Sequence, residues 1–430
     1  MRKLDINSKG HLCFGGADTV ELAEKYGTPL YVVDEKQIIG RCREIKECFL
    51  DKYDNANAVY ASKALQTVDI CRIVTEEGLG LDTVSGGEIY TAIKAGVDTA
   101  KIIFHGNNKT ADEIRFAVEN NVGRFVADNE YELHLIDGIA KEAGKTVRVQ
   151  LRITPGVDSH THQYISTGGI DSKFGISPVR SERNRIIKYA MDSESIELTG
   201  FHFHVGSQLQ KNDSHLMALE IILRLIKEIR SELGFVPTEL NLGGGFGVRY
   251  VDGEITVKLR DFTDPMMERI NSFCKTEGIS LPEVFIEPGR WISANAGITL
   301  YTVGSIKEIP EIKTYLAVDG GMPDNPRHIL YQAEYEAVVA NKASIPAGKE
   351  VSVVGKCCES GDVLIEKIGV ADTVQSGDIL CVFSTGAYNY SMASNYNRIP
   401  RPALVMVKDG KDRLSVRRET WEDMITREIL

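Results

Sequence analysis

A short β-branched and aromatic run, Val59-Tyr60-Ala61, leads through Ser62 to a single lysine, Lys63, followed by Ala64. Such a run reads as a strand packed on both faces. An ammonium at its end must be solvated, paired or neutralised. Two readings stay open on this stretch alone: a strand-end lysine with its head in water, or a desolvated amine able to condense with a carbonyl compound. Other residues of reactive type recur downstream. They are Phe201-His202-Phe203-His204-Val205-Gly206-Ser207, the tract Gly243-Gly244-Gly245-Phe246-Gly247, and Glu287-Pro288-Gly289-Arg290. Bare glycine N–H groups can close on an anion because no Cβ intervenes. Each feature also has a plain structural reading: glycines for turns, Arg290 for a surface pair, His204 as a satisfied core histidine.

A regular rhythm spaces these residues. Strand-like runs at 58–61, 80–84, 102–105, 124–128, 147–153, 198–205, 239–242 and 284–287 alternate with helical stretches such as 111–120, 130–143 and 215–233. In the last of these, Leu216, Leu219, Ile222, Leu223 and Ile226 make one apolar face. Eight such alternations predict a (β/α)8 TIM-type barrel over residues 30–294. No Gly-x-Gly-x-x-Gly follows the first strand, which argues against a dinucleotide fold. Beyond residue 294 the helical rhythm gives way to short alternating strands at 299–303, 314–318, 350–354, 378–383 and 403–407. Residues 295–430, joined by 1–29, therefore read as an all-β sandwich or barrel domain.

In such a barrel the site lies behind the C-terminal ends of the strands. Lys63 follows the first strand, Ser85-Gly86-Gly87-Glu88 the second and His105-Gly106-Asn107 the third. His204 and Ser207 close the sixth, the glycine tract the seventh and Glu287 the eighth. An amine for an aldehyde, a glycine cradle for a phosphate and an acid for a pyridine nitrogen together suggest pyridoxal 5'-phosphate. His204 can lie against the ring of that cofactor and Ser207 can reach its phosphate. His202 has no assigned partner, and His160 and His162 read as loop polar groups.

Composition narrows the class. Of 430 residues, 61 are acidic and 50 basic, for a net charge of −11, which argues against nucleic acid or an anionic membrane as a partner. No apolar run approaches a membrane span, and Met1-Arg2-Lys3-Leu4-Asp5 lacks the apolar core of a signal peptide. The eight cysteines form neither a disulfide framework nor a zinc motif. The expectation is a cytoplasmic protein with no metal.

Longer motifs add a family. Tyr60-Ala61-Ser62-Lys63-Ala64, His204-Val205-Gly206-Ser207, the glycine tract and Glu287-Pro288-Gly289-Arg290 resemble the alanine-racemase-fold, group IV pyridoxal phosphate decarboxylases. Val318-Asp319-Gly320-Gly321-Met322, Pro326-Arg327, Gly355-Lys356-Cys357-Cys358-Glu359-Ser360-Gly361-Asp362 and the run from Gly386-Ala387-Tyr388 to Asn397 narrow this to a likeness with the diaminopimelate decarboxylase family. Ser166-Thr167-Gly168-Gly169-Ile170-Asp171-Ser172-Lys173-Phe174-Gly175 does the same. Together these motifs cover nearly the whole chain.

The resemblance implies decarboxylation of meso-2,6-diaminopimelate to L-lysine and CO2, the last step of lysine biosynthesis. It casts Lys63 and Cys358 as catalytic. Lys63, His204, Ser207, Gly243, Gly244, Gly245, Glu287, Pro288, Gly289, Arg290 and Tyr388 would hold the cofactor. Arg290, Arg327, Tyr331, Glu359 and Tyr388 would hold an amino-acid substrate. It further implies a homodimer in which each site borrows Cys358 and Glu359 from the partner. Ornithine decarboxylases typically carry Cys-Asp where this chain has Cys358-Glu359, which favours diaminopimelate. His328 stands where many relatives have proline. Rival readings are a racemase or a decarboxylase of another basic amino acid on the same fold, and a catalytically inactive regulatory homologue.

Overall fold

Eight short apolar runs close into one parallel barrel because each can bury both faces only when helices cover the outside. The computed structural model describes residues 2–157 and 172–429. His160, His162 and the part of the Ser166–Gly175 motif up to Asp171 lie outside the described residues. The barrel strands are β1 (Ala56–Ala61), β2 (Gly80–Thr83), β3 (Ile102–Phe104), β4 (Arg124–Ala127), β5 (Val147–Arg152), β6 (Ile196–His202), β7 (Glu239–Asn241) and β8 (Glu283–Ile286). Every neighbouring pair is parallel, and Val284 of β8 registers against Ala56 of β1 to close the ring.

Helices follow the strands where the sequence places good caps. Thr110 makes a capping box with Glu113 at the start of Ala111–Glu119, and Asn129 caps Glu130–Glu142. The long helix Asp213–Leu233 buries Leu219, Ile222, Leu223 and Ile226 and stops at the left-handed Gly234. Among the described residues, no helix is long and apolar enough to cross a membrane.

By contact density the chain forms two compact units. One comprises 41–247 and 256–291 and contains the barrel. The other comprises 1–40, 248–255 and 292–430. In the second unit a nine-stranded sheet runs in the order Val363–Ala371, Ala347–Val354, Lys313–Val318, Gly297–Ile309, Leu30–Asp34, Ala403–Lys408, Lys411–Val416. Ile379–Phe383 branches from Gly297–Ile309 and pairs in turn with Ala337–Val339. Leu30–Asp34 pairs with both Gly297–Ile309 and Ala403–Lys408, so this run belongs to the sheet and not to the barrel. Its continuous, fully buried run suits either place, and only long-range pairing decides between them. Around it pack Leu30, Val32, Ile298, Leu300, Cys381, Phe383, Val405 and Val407.

At the N-terminal end of the barrel Glu239, the first residue of β7, is fully buried. Arg124 Nε, Arg148 Nη2, Gln150 Nε2 and Thr199 Oγ1 stand 2.9, 2.6, 2.7 and 2.9 Å from its carboxylate oxygens. These donors come from β4, β5 and β6, so one carboxylate ties four adjacent strands together. Removing one partner of a buried ionic cluster leaves the other charges uncompensated, at about 3–5 kcal/mol. Glu239→Ala should therefore lower the midpoint of thermal unfolding markedly. An unchanged midpoint in calorimetry would refute this role.

Candidate active site

The opposite end of the barrel gathers a different set. Lys63 sits on the single 3-10 turn Ser62–Ala64 directly after β1 and is an exposed residue. Its charge bears on Asp82, Glu88 and His204. Gly289, after β8, presses against this turn: a Cβ there would stand 2.9 Å from Ala61 Cβ and 3.2 Å from Ala64 Cβ. The Ala61 N–H also donates to the Pro288 carbonyl at 3.3 Å. Pro288 and Gly289 thus set the distance between the Glu287 loop and the Lys63 turn.

Glu287 is 7% exposed, and its carboxylate is gripped from three strand ends. Asn241 Nδ2 donates to it at 2.7 Å, His202 Nε2 lies at 3.2 Å and His105 Nε2 at 2.8 Å. Burial alone would raise the Glu287 pKa. The electrostatic pull of the nearby His105 and His202 rings, with the hydrogen bond to His202, overcomes that and holds the carboxyl well below its usual range. Burial lowers His202 itself to about 4, ahead of the opposing pull of Glu287. A neutral imidazole still donates through Nε2–H, so Glu287 keeps its donor without a second charge.

The glycine tract is built for close approach. A Cβ on Gly244 would come within 2.1 Å of the Glu287 carbonyl oxygen, and one on Gly245 within 2.2 Å of the Gly206 oxygen. Gly243 and Gly245 also hold φ of +67° and +99°, which side-chain-bearing residues rarely adopt. The Gly244 N–H points at His204 Nδ1 at 3.3 Å. Burial, and after it the Lys63 charge, hold His204 well below its usual pKa, hence neutral. Arg290 is 7% exposed and donates to Ser207 Oγ through Nε at 3.2 Å and Nη2 at 3.1 Å. Lys63, His204, Ser207, the tract and Glu287-Pro288-Gly289-Arg290 are therefore neighbours within one unit. An amine, an anion cradle without Cβ atoms and a fixed carboxylate suit the aldehyde, phosphate and pyridine nitrogen of pyridoxal phosphate.

His105, His202, Asn241, Asp82 and Arg152 complete this end, yet sequence reading assigned none of them. The Arg152 charge bears on Glu287, Asp82 and both His202 and His204. Burial pushes Asp82 up, and His105 Nε2 lies 3.8 Å from it. The available signal was polarity inside otherwise apolar strand ends, as in Gly80-Leu81-Asp82-Thr83.

The remaining expected residues lie in the second unit. Arg327 is 6% exposed, and its Nη1 donates to Tyr335 Oη at 2.8 Å. Tyr388 holds a left-handed φ of +65° and is close enough to bear on the Arg327 charge. Tyr331 ends the short helix Arg327–Tyr331 and is half-buried, while His328 Nδ1 meets the Ala333 carbonyl at 3.0 Å. Cys358 and Glu359 are exposed. Asp362 shapes their loop by accepting from Cys357 N–H at 2.8 Å and Met322 N–H at 2.7 Å, and the Cys358 N–H donates to Asn397 Oδ1 at 2.8 Å. Burial, then Asp362, push the neighbouring Cys357 thiol up to about 12. Cys48 and Cys357 are only half-buried, unlike the core fillers Cys42, Cys71, Cys274 and Cys381.

Residues 35–294 match the model of the pyridoxal-dependent decarboxylase, pyridoxal binding domain. The chain is 48% identical over 419 residues to a diaminopimelate decarboxylase of Bacillus subtilis (strain 168), covering 97% of this chain and 95% of that one. It is 49% identical over 420 residues to that of Halalkalibacterium halodurans, covering 98% and 95%. Among solved structures, diaminopimelate decarboxylase from M. jannaschii with L-lysine superposes with a TM-score of 0.91 at 35% identity, over 100% of this chain and 98% of that one. The Helicobacter pylori enzyme with L-lysine gives 0.87 at 32%, over 96% and 99%. The chain belongs to the diaminopimelate decarboxylases of the pyridoxal-dependent decarboxylase family.

Proposed function

We propose that this chain decarboxylates meso-diaminopimelate at its D centre, releasing CO2 and leaving L-lysine. The observation that carries the reading is Glu287, ionised and fixed by His105, His202 and Asn241 at the same barrel end as Lys63 and the glycine tract. Pyridoxal phosphate, the family's cofactor, supplies when bound a sink for the electron pair released as CO2 leaves.

The chain's own residues do the rest. Lys63 is the amine that would hold the cofactor through its aldehyde, ready to give way to a substrate amine. The Gly243-Gly244-Gly245 tract, whose lack of Cβ atoms leaves room for an anion, would receive the phosphate together with Ser207, which Arg290 braces. Glu287 would keep a proton on the pyridine nitrogen, a task that its depressed pKa and its hydrogen bonds from Asn241 and His202 suit. His204, held neutral by burial and by the Lys63 charge, would face the cofactor without adding charge. Cys358 gives a proton to the carbon that lost CO2. Arg290, Arg327 and Tyr331 take the far carboxylate, Glu359 the far ammonium, and Tyr388 reaches both cofactor and substrate.

The chain works as a homodimer in which Cys358 and Glu359 serve the partner's Lys63. Their exposure, and their place in a different compact unit from Lys63, support this assembly. The reading also places the enzyme in the cytoplasm, in keeping with eight free thiols.

Lys63→Ala should abolish CO2 release and the visible absorbance that borohydride bleaches. Near-normal turnover by that variant would overturn the assignment. Glu359→Ala and Arg327→Ala should each cost about 2–4 kcal/mol in kcat/KM, because each leaves a desolvated substrate charge unpaired. Comparable turnover of lysine or ornithine by the wild type would contradict that specificity. Lys63→Ala and Cys358→Ala chains, each poorly active alone, should complement on mixing. After random subunit exchange about a quarter of all sites carry neither defect. Verified heterodimers without activity would place both residues of a site on one chain.

A further inference from the structure

Arg327 is an unusual buried cation. Arg183, also buried, stands 3.1 Å from the Glu228 carboxylate, and Arg124 pairs with Glu239 at 2.9 Å. Around Arg327, by contrast, no carboxylate lies within ion-pair distance among the described residues, and its Nε is buried with no hydrogen-bond partner. A buried charge normally requires pairing. Here neutral groups take the place of a counterion. Tyr335 Oη accepts from Arg327 Nη1 at 2.8 Å and donates to Asn389 Oδ1 at 3.3 Å. A phenol has one proton, so donating it to Asn389 turns the oxygen lone pair towards the guanidinium. The guanidinium carbon also lies 4.9 Å from the Tyr250 ring centre and 5.7 Å from that of Tyr335, with the two rings edge to face. Tyr335 and Asn389 are themselves buried.

We infer that Tyr250, Tyr335 and Asn389 are positioning residues: a neutral cradle that fixes Arg327 while leaving its charge unmatched, so that the substrate carboxylate becomes its first anionic partner. This rests on the proposed carboxylate-binding role of Arg327 and extends it to three residues that make no claim on the reacting atoms. A carboxylate in the cradle would defeat the design by neutralising the guanidinium in advance.

The test uses the holoenzyme of Tyr335→Phe, Asn389→Asp, Arg327→Ala and the double variant Arg327→Ala/Asn389→Asp. Each is assayed with diaminopimelate and titrated with L-lysine, which carries the same carboxylate. Tyr335→Phe should raise KM and weaken lysine binding by about 10- to 100-fold, the worth of one hydrogen bond to a charged group. Its kcat should stay within about threefold, with cofactor absorbance and melting temperature preserved. Asn389→Asp should do likewise, and its penalty should vanish in the Arg327→Ala background, as coupled neighbours require. If Asn389→Asp does not fold, Tyr335→Phe decides alone. Wild-type lysine affinity in Tyr335→Phe, beside a loss in Arg327→Ala, would overturn the cradle and leave the role of Arg327 standing. A penalty from Asn389→Asp that persists without Arg327 would mark general packing damage and also overturn it. Unchanged lysine binding in Arg327→Ala would remove the underlying reading instead.

Discussion

A carboxylate can stay ionised in a protein interior only if donors replace the water it has lost. At Glu287 the partners come from three places along the chain: hydrogen bonds from His202 at the end of β6 and Asn241 at the end of β7, and His105 behind β3 at 2.8 Å. No local segment could supply them. The barrel must close before the acid is satisfied, and the acid in turn fixes the loop that follows β8. That loop then places Gly289 against the Lys63 turn and sets the Gly244 backbone beneath the Glu287 carbonyl, so amine and anion cradle inherit their positions from one buried charge.

The two ends of the barrel make an informative pair. Glu239 and Glu287 are both buried carboxylates with several donors. Glu239 lies among two guanidiniums, an amide and a hydroxyl and is fully neutralised. Such an arrangement serves strand registry and has no charge left to offer a ligand. Glu287 faces two imidazoles and an amide and has no guanidinium bonded to it, so it lies open to a cationic group at the C-terminal face. The same residue type thus contributes to stability at one end and to chemistry at the other.

Much of this was legible in the chain itself. The eight barrel strands lie close to where the alternation of short apolar runs with helical stretches places them, because parallel strands read as continuous apolar runs bounded by glycine and polar loops. Leu30–Asp34 was less readable, since its pattern suits a barrel strand and a central sheet strand equally. Around the site, Lys63, the glycine tract and Glu287 announce themselves by type at strand ends. His202 did not, because strand parity alone gave it no partner: its partner, Glu287, is 85 residues away in sequence and adjacent only once the barrel closes. His105 and Asn241 were hidden in the same way. Tyr335 and Asn389 carry no reactive signature, and their meaning comes wholly from the guanidinium at the end of their hydrogen-bond chain.

Arg327 raises the question of why a protein would bury a charge it does not pair. Hydrogen bonds and ring faces solvate a guanidinium less well than a carboxylate does, so the free protein carries a residual electrostatic cost. Relief of that cost is available only to a ligand that brings a negative charge in a geometry matched to the planar fork. A ligand with an amine at that position would add like charge to an uncompensated cation and be rejected by the same cradle. Selectivity then comes from the environment of the arginine as much as from the arginine. A guanidinium held beside a glutamate, as Arg43 is beside Glu77, would have no such preference to express.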